Sequence, residues 1–132
     1  MHGLTLDTGA LIALERADKR MRTALLAAHQ DGRRVTVPTP VLIEWWRGGQ
    51  GRQRNILDSL EVEPLSELLA KLAGEALMAV RQAAPKGPFP SAVDAVVVAS
   101  AAQRGDLVYT SDLADLELLR AYFPAVPRML RV

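Results

Sequence analysis

The chain has 132 residues, 49% of them hydrophobic, and a formal net charge of +1. That length suits one domain, residues 1–132, with a real core; so small a net charge excludes bulk electrostatic attraction as a route to nucleic acid, though not a local basic groove. The chain has no Cys, which excludes disulfides, thiolate zinc sites and a Cys nucleophile.

Residues 3–6, "GLTL", read as a short strand, and "DTGALIALERA" after them turns helical, with apolar residues at 10, 11, 13 and 14. Residues 19–31 form a second amphipathic helix that ends at Asp31-Gly32. "RVTV" (34–37) is a strand. Thr39 is placed to cap a third helix with Pro40 at its first position, running through "VLIEWW" to Gly48. "RGGQGRQR" (47–54) reads as a flexible basic loop or a helix start, and "LEVEP" (60–64) as a strand. A long helix over 65–84 stops before Pro85, and "PKGPFP" (85–90) is a rigid connection. In residues 91–105, "SAVDAVVVASAAQRG", the Val run suits a buried strand. Its length, its Ala content and the Ser91 and Gly105 at its ends favour a helix. "LVYT" (107–110) is a strand, 112–122 a helix, and "PRMLRV" (127–132) a last edge strand. Strands alternate with helices throughout, which predicts an α/β fold with a mostly parallel sheet of about five strands and helices on both faces.

No apolar run reaches the roughly 20 residues of a membrane span, and "MHGLTLD" lacks the basic start and apolar stretch of a signal peptide. The expectation is a soluble cytoplasmic protein with no membrane association. His2 and His29 are far apart and follow no ligand spacing.

Of 15 acids, most have polar neighbours and read as solvated. Four lie in apolar surroundings: Asp7 at the end of the first strand, Glu44 inside "VLIEWW", Asp94 inside the Ala/Val run, and Asp112 after "LVYT". Each also has an ordinary reading. Asp7 and Asp112 suit helix caps, the latter with Asp115 as partner; Asp94 follows Ser91 by three as in a capping box; Glu44 can reach water. Together they point elsewhere. In a doubly wound sheet, ligands bind outside the carboxyl ends of strands where strand order reverses, and all four acids fall at that end if the first strand is central beside "LVYT". Four close carboxylates cannot all ionise without a counter-charge, and Lys is limited to Lys19, Lys71 and Lys86. An all-oxygen site suits hard divalent cations, Mg²⁺ or Mn²⁺, which handle phosphate oxygens and activate water for in-line displacement.

At this point the chain resembles the PIN-domain nucleases, in particular the VapC-type toxins of bacterial toxin–antitoxin pairs, over nearly its whole length. "LDTGALIAL" is similar to the family's opening motif, with Asp7 and Thr8; "VLIEWWRG" to the second, with Glu44; "DAVVVASAAQRG" to the third, with Asp94; "LVYTSDLADL" to the fourth, with Thr110 and Asp112. Asp115 fits a fifth, more variable position, although Leu116 follows it where an aromatic is common. The resemblance implies a PIN-like fold with the first strand central. It also implies a Mg²⁺- or Mn²⁺-dependent endoribonuclease toxin, neutralised by a cognate VapB-like antitoxin. Further implications are a homodimer, and contact with operator DNA only through the antitoxin.

On that reading Asp7, Glu44, Asp94 and Asp112 are the catalytic metal-holding acids, with Asp115 supporting. Thr8 and Thr110 orient a water or a carboxylate, or simply cap helices. Arg47, Arg52 and Arg54 are candidates to grip RNA phosphates. Trp45 and Trp46 are expected at a protein interface rather than under stacked bases, and the helices over 9–17 and 19–31 as part of an antitoxin groove. A PIN nuclease outside any toxin–antitoxin pair is the alternative. A phosphoacceptor receiver domain fits less well: the third strand runs into "EPLS", and "PRMLRV" has no Lys.

Overall fold

The computed structural model describes residues 2–132. In chain order the elements are β1 (Leu4–Leu6), α1 (Thr8–Glu15), α2 (Lys19–Gln30), β2 (Val35–Pro38), α3 (Thr39–Trp45), α4 (Gln53–Asp58), β3 (Glu61–Glu63), α5 (Glu67–Ala83), α6 (Ala92–Arg104), β4 (Leu107–Thr110), α7 (Leu113–Arg120) and β5 (Met129–Arg131). The five strands form one sheet in the order β3-β2-β1-β4-β5, parallel throughout. β1 to β3 build outward to one side; the chain then returns, and β4 and β5 build to the other. Strand order therefore reverses between β1 and β4, where Leu4, Thr5 and Leu6 pair with Leu107, Val108 and Tyr109.

Local chemistry accounts for the helix ends. The Asp18 carboxylate accepts from the Met21 N–H (2.8 Å) at the start of α2, and the Ser66 hydroxyl from the Leu69 N–H (3.0 Å) at the start of α5. Ser91 opens α6, and Gly105 closes it in the left-handed conformation, φ 71°. In α6 every residue from Ala95 to Ala101 is buried, so this helix is surrounded. It packs on β1, β2 and β4 and is covered by α5. Small Ala and β-branched Val let its backbone come close to the sheet while still filling space. Because α6 is buried on all sides, its sequence shows no apolar/polar periodicity.

Thr5 on β1 points the other way from Leu4 and Leu6 and meets the end of α6 in a buried polar network. The Arg104 guanidinium donates to Asp106 (2.9 Å), Glu63 (2.6 Å), Thr5 (2.9 Å) and Ser100 (2.9 Å). Ser100 and Thr5 donate in turn to Glu63 (2.6 Å) and Asp106 (2.8 Å). This lattice ties β3, β1 and β4 together.

The third helix departs from expectation. It ends at Trp45 rather than Gly48, its N-cap is Pro38, and the Thr39 hydroxyl accepts instead from the Leu65 N–H (3.1 Å). The basic loop is not loose: the buried Gln53 amide donates to the Trp45 carbonyl (2.6 Å) and accepts from the Arg47 N–H (2.9 Å), then opens α4. Trp45 is 1% exposed and belongs to the core, not to an interface; Trp46 is half-buried against that core.

Candidate functional site

At the carboxyl ends of β1 and β4 an open pocket of about 320 Å³ is lined by Asp7, Glu44, Asp94, Asp112 and Asp115, with Thr8, Gly9, Phe89, Ser91, Val93 and Ser111. All four acids singled out in the sequence therefore share one cavity, with Asp115. Asp94, Asp112 and Asp115 form the tight group: each offers an oxygen, and these oxygens lie within 4.8 Å of one another. Asp7 and Glu44 line the same pocket outside that group.

Each acid is positioned by its local structure. Asp7 is the N-cap of α1, accepting from the Ala10 N–H at 2.9 Å. It is 5% exposed, and its own N–H donates to the Tyr109 carbonyl (3.2 Å) on β4. Glu44 projects from α3 to α1 and accepts from the Thr8 hydroxyl at 2.5 Å. Asp94 forms a reciprocal capping box: its N–H donates to the Ser91 hydroxyl (3.0 Å), and its carboxylate accepts from the Ser91 N–H (3.1 Å). The ordinary reading of Asp94 is thus realised together with the pocket reading, because the box leaves the carboxylate facing the other acids. Asp112 precedes α7 without a side-chain cap bond, and its N–H donates to the Thr110 hydroxyl at 2.8 Å.

The electrostatics are those of crowded, partly dry carboxylates. Burial pushes Asp7 above the usual carboxylate range, against the lowering effect of the Thr110 hydroxyl and the Ala10 and Ser111 N–H groups; the Asp94 charge adds to the rise. Asp94 is likewise held up by burial, opposed by its Ser91 bonds and reinforced by Asp112 and Glu44. Asp115 is raised by burial, by a hydrogen bond to Asp112, and by the charges of Asp112 and Asp94. No Lys or Arg lines the pocket among the described residues. A wholly oxygen donor set, three acids close enough to share one ion, and no protein cation to offset them together fit a hard divalent cation.

The three arginines do not join this pocket. Arg47 pairs with Glu15 (2.6 Å). Burial alone would raise the Glu15 carboxyl, but Arg47, Trp45 and Gln53 hold it low. Arg52 donates to the Glu15 carbonyl (3.4 Å), and the Arg54 guanidinium lies 5.7 Å from the Trp46 ring centroid. Sequence reasoning missed Ser111, Phe89 and the role of Gly9. An ideal Cβ on Gly9 would fall 1.9 Å from the Ser111 Oγ and 2.3 Å from its Cβ, so α1 approaches the strand end as closely as it does only because position 9 is Gly. The adjacency of Gly9 to an acid motif is the one signal that marks it.

The PIN domain family model matches residues 4–122. Similar solved structures include VapBC2 from Rickettsia felis bound to a DNA fragment from their promoter, with TM-score 0.74, 16% identity and 98% of each chain covered. DNA-bound VapBC from Salmonella typhimurium gives TM-score 0.69 at 18% identity, covering 99% of this chain and 98% of that one. A toxin–antitoxin complex from Klebsiella pneumoniae gives 0.65 at 20%, covering 97% and 96%. No curated protein matches the sequence.

Proposed function

Since the chain belongs to the PIN-domain family, we propose that it is a Mg²⁺- or Mn²⁺-dependent endoribonuclease, the toxin of a type II toxin–antitoxin pair. The convergence of five carboxylates at the β1/β4 switch point carries the reading. Asp94, Asp112 and Asp115 would hold the ion directly, with Asp7 and Glu44 binding it or its waters. When bound, the ion would neutralise charge on the scissile phosphate and make a water acidic enough to attack. The protein's own groups do the arranging. Thr8 fixes Glu44, Thr110 anchors the Asp112 backbone and steadies Asp7, and Ser91 fixes Asp94. Val93 lines the pocket beside Asp94. Arg47, Arg52 and Arg54 are the proposed phosphate contacts outside it.

The toxin assignment rests on the similar solved structures, which are VapBC and toxin–antitoxin complexes. A cognate VapB-like antitoxin, a homodimer, operator contact through the antitoxin, a cytoplasmic location and a single domain over 1–132 complete the reading. Two openings run along α2. One of about 570 Å³ includes Lys19, Arg22 and Leu26, and one of about 370 Å³ includes Leu14, Leu25 and Ile56; they suit an amphipathic antitoxin segment. The test is RNA cleavage with Mn²⁺ or Mg²⁺ and with EDTA, alongside Asp7→Asn, Glu44→Gln, Asp94→Asn and Asp112→Asn. Each substitution is expected to remove most activity, and Asp115→Asn, which takes away one of the three close-set carboxylates, to do the same. Full-rate cleavage in EDTA would sink the metal-site reading. Mn²⁺ is also expected to raise the melting temperature, since an ion held only by the folded state stabilises it.

A further inference from the structure

We propose that Phe89 is the platform on which an unpaired base next to the scissile phosphate stacks. The inference rests on the nuclease reading above. Phe89 and Phe123 are the two Phe of the chain, and they are used differently. Phe123 packs against the hydrophobic core, whereas Phe89 stands outside the core and its packed margin and is 40% exposed. A lone exposed aromatic is ordinary on a protein surface. This one lines the carboxylate pocket, and among the described residues lining it Phe89 is the one ring.

The ring is mounted rather than loose. Pro88 and Pro90 flank it and restrict φ on either side. The Arg81 guanidinium, from the last turn of α5, lies over it at 5.9 Å from the centroid, within the range of a cation–π contact. On another side is Gly87, at φ +66°, where an added Cβ would come within 3.3 Å of the ring. The flanking prolines and the Arg81 contact hold the ring beside the pocket.

The electrostatics of the pocket give such a ring a task. Its walls carry five acids and no Lys or Arg among the described residues, so they repel a polyanion until a cation is bound. Binding energy that does not depend on charge has to come from a base. Stacking supplies it, tolerates any sequence, and requires a base that is not already paired and stacked in a duplex. Arg81, over the ring, adds a positive charge beside the stacking position.

The experiment is steady-state cleavage of short single-stranded RNAs by the full chain in Mn²⁺, comparing the parent with Phe89→Tyr, Phe89→Leu and Phe89→Ala. A parallel arm measures quenching of a 2-aminopurine placed next to the cut site. Removing one stacked base typically weakens binding by roughly 5- to 150-fold, so Phe89→Leu and Phe89→Ala should raise KM on the order of tenfold or more, with kcat little changed. Phe89→Tyr should restore the parent KM, and quenching should be lost with Leu and Ala but kept with Tyr. Melting temperatures should stay within about 1–2 °C of the parent, since exposed positions outside the core rarely carry stability; a merely structural role would move them. Equal KM and equal quenching for parent and Phe89→Leu would overturn the stacking proposal while leaving the nuclease intact, as would equally efficient cleavage of a duplex. A parent that neither binds nor cleaves RNA would overturn the nuclease reading itself, and the stacking proposal with it.

Discussion

Replacing Gly9 by Ala tests the closest approach in the site. In an exposed helix interior the change is worth about 1 kcal/mol in favour of Ala. Here the new Cβ would stand 1.9 Å from the Ser111 Oγ and 2.3 Å from its Cβ, with ordinary contact beginning at 3.4 Å. Rotating the hydroxyl relieves the first clash and not the second, so the backbone must give by about 1 Å. Overpacking of this kind costs roughly 1–3 kcal/mol, which outweighs the propensity gain. Net of that gain, up to about 2 kcal/mol is lost, and the melting temperature should fall by up to about 10 °C, taking roughly 3–5 °C per kcal/mol for a chain of this size. Ser111 lies between Thr110, which holds the Asp112 N–H, and Asp112 itself, so the shift reaches the acids. A misplacement of about 1 Å commonly costs on the order of 100-fold in rate. Ser111→Gly removes both clashing atoms and leaves its backbone N at 3.1 Å, so Gly9→Ala with Ser111→Gly should recover most of both losses. Thermal melts in EDTA and cleavage rates in Mn²⁺ measure the cycle. A Gly9→Ala protein that melts and cuts like the parent, or a double variant whose losses simply add, would refute the steric argument.

Two further outcomes are expected. Asp94 is raised in the folded state, so its contribution is favourable below its unfolded value and is lost as pH rises through the folded one. Metal-free Asp94→Asn should therefore melt higher than the parent at neutral pH, and Asn can still accept from the Ser91 N–H. The gap should close on acidification towards pH 3.8, Mn²⁺ should stabilise the parent more than the variant, and a variant that melts lower in EDTA would mean that the charged cap outweighs the repulsion among the acids. Arg104→Met should cost about 3–5 kcal/mol in urea unfolding, because it leaves the carboxylates of Glu63 and Asp106 without their cation; a loss below about 1 kcal/mol would mean that water or rearrangement replaces it.

What the chain discloses in advance depends on whether a signal is local. Ser91, Gly105, Pro85 and the alternation of strands and helices are local, and they fix the element order. The pocket was legible because four acids break apolar runs, and an apolar run interrupted by one charge is conspicuous without any partner in view. The shortening of α3 was not legible, because it depends on Gln53 capturing the Trp45 carbonyl across the turn. Nor was the burial of Trp45: in "VLIEWW" neither indole is marked as the inward one. Nothing local marks Arg104, and only folding supplies the four partners that turn it into a cross-brace. The Asp94 readings looked like rivals on paper, but a carboxylate has two oxygens and serves both.

The pairing of β4 with β1 also governs timing. Asp7 is made early, but its neighbours Asp94, Asp112 and Asp115 lie about a hundred residues later, and β4 joins β1 only when residues 107–109 exist to pair with residues 4–6. At typical synthesis rates of about 5–20 residues per second, the two halves of the acidic pocket are separated by roughly 5–20 s on the ribosome. Throughout that interval the emerging polypeptide holds one half of the pocket without the other. No assembled site therefore exists until residues 107–115 have been made and β4 has joined β1. A partner that needs only α1 and α2 could engage the chain before the pocket closes.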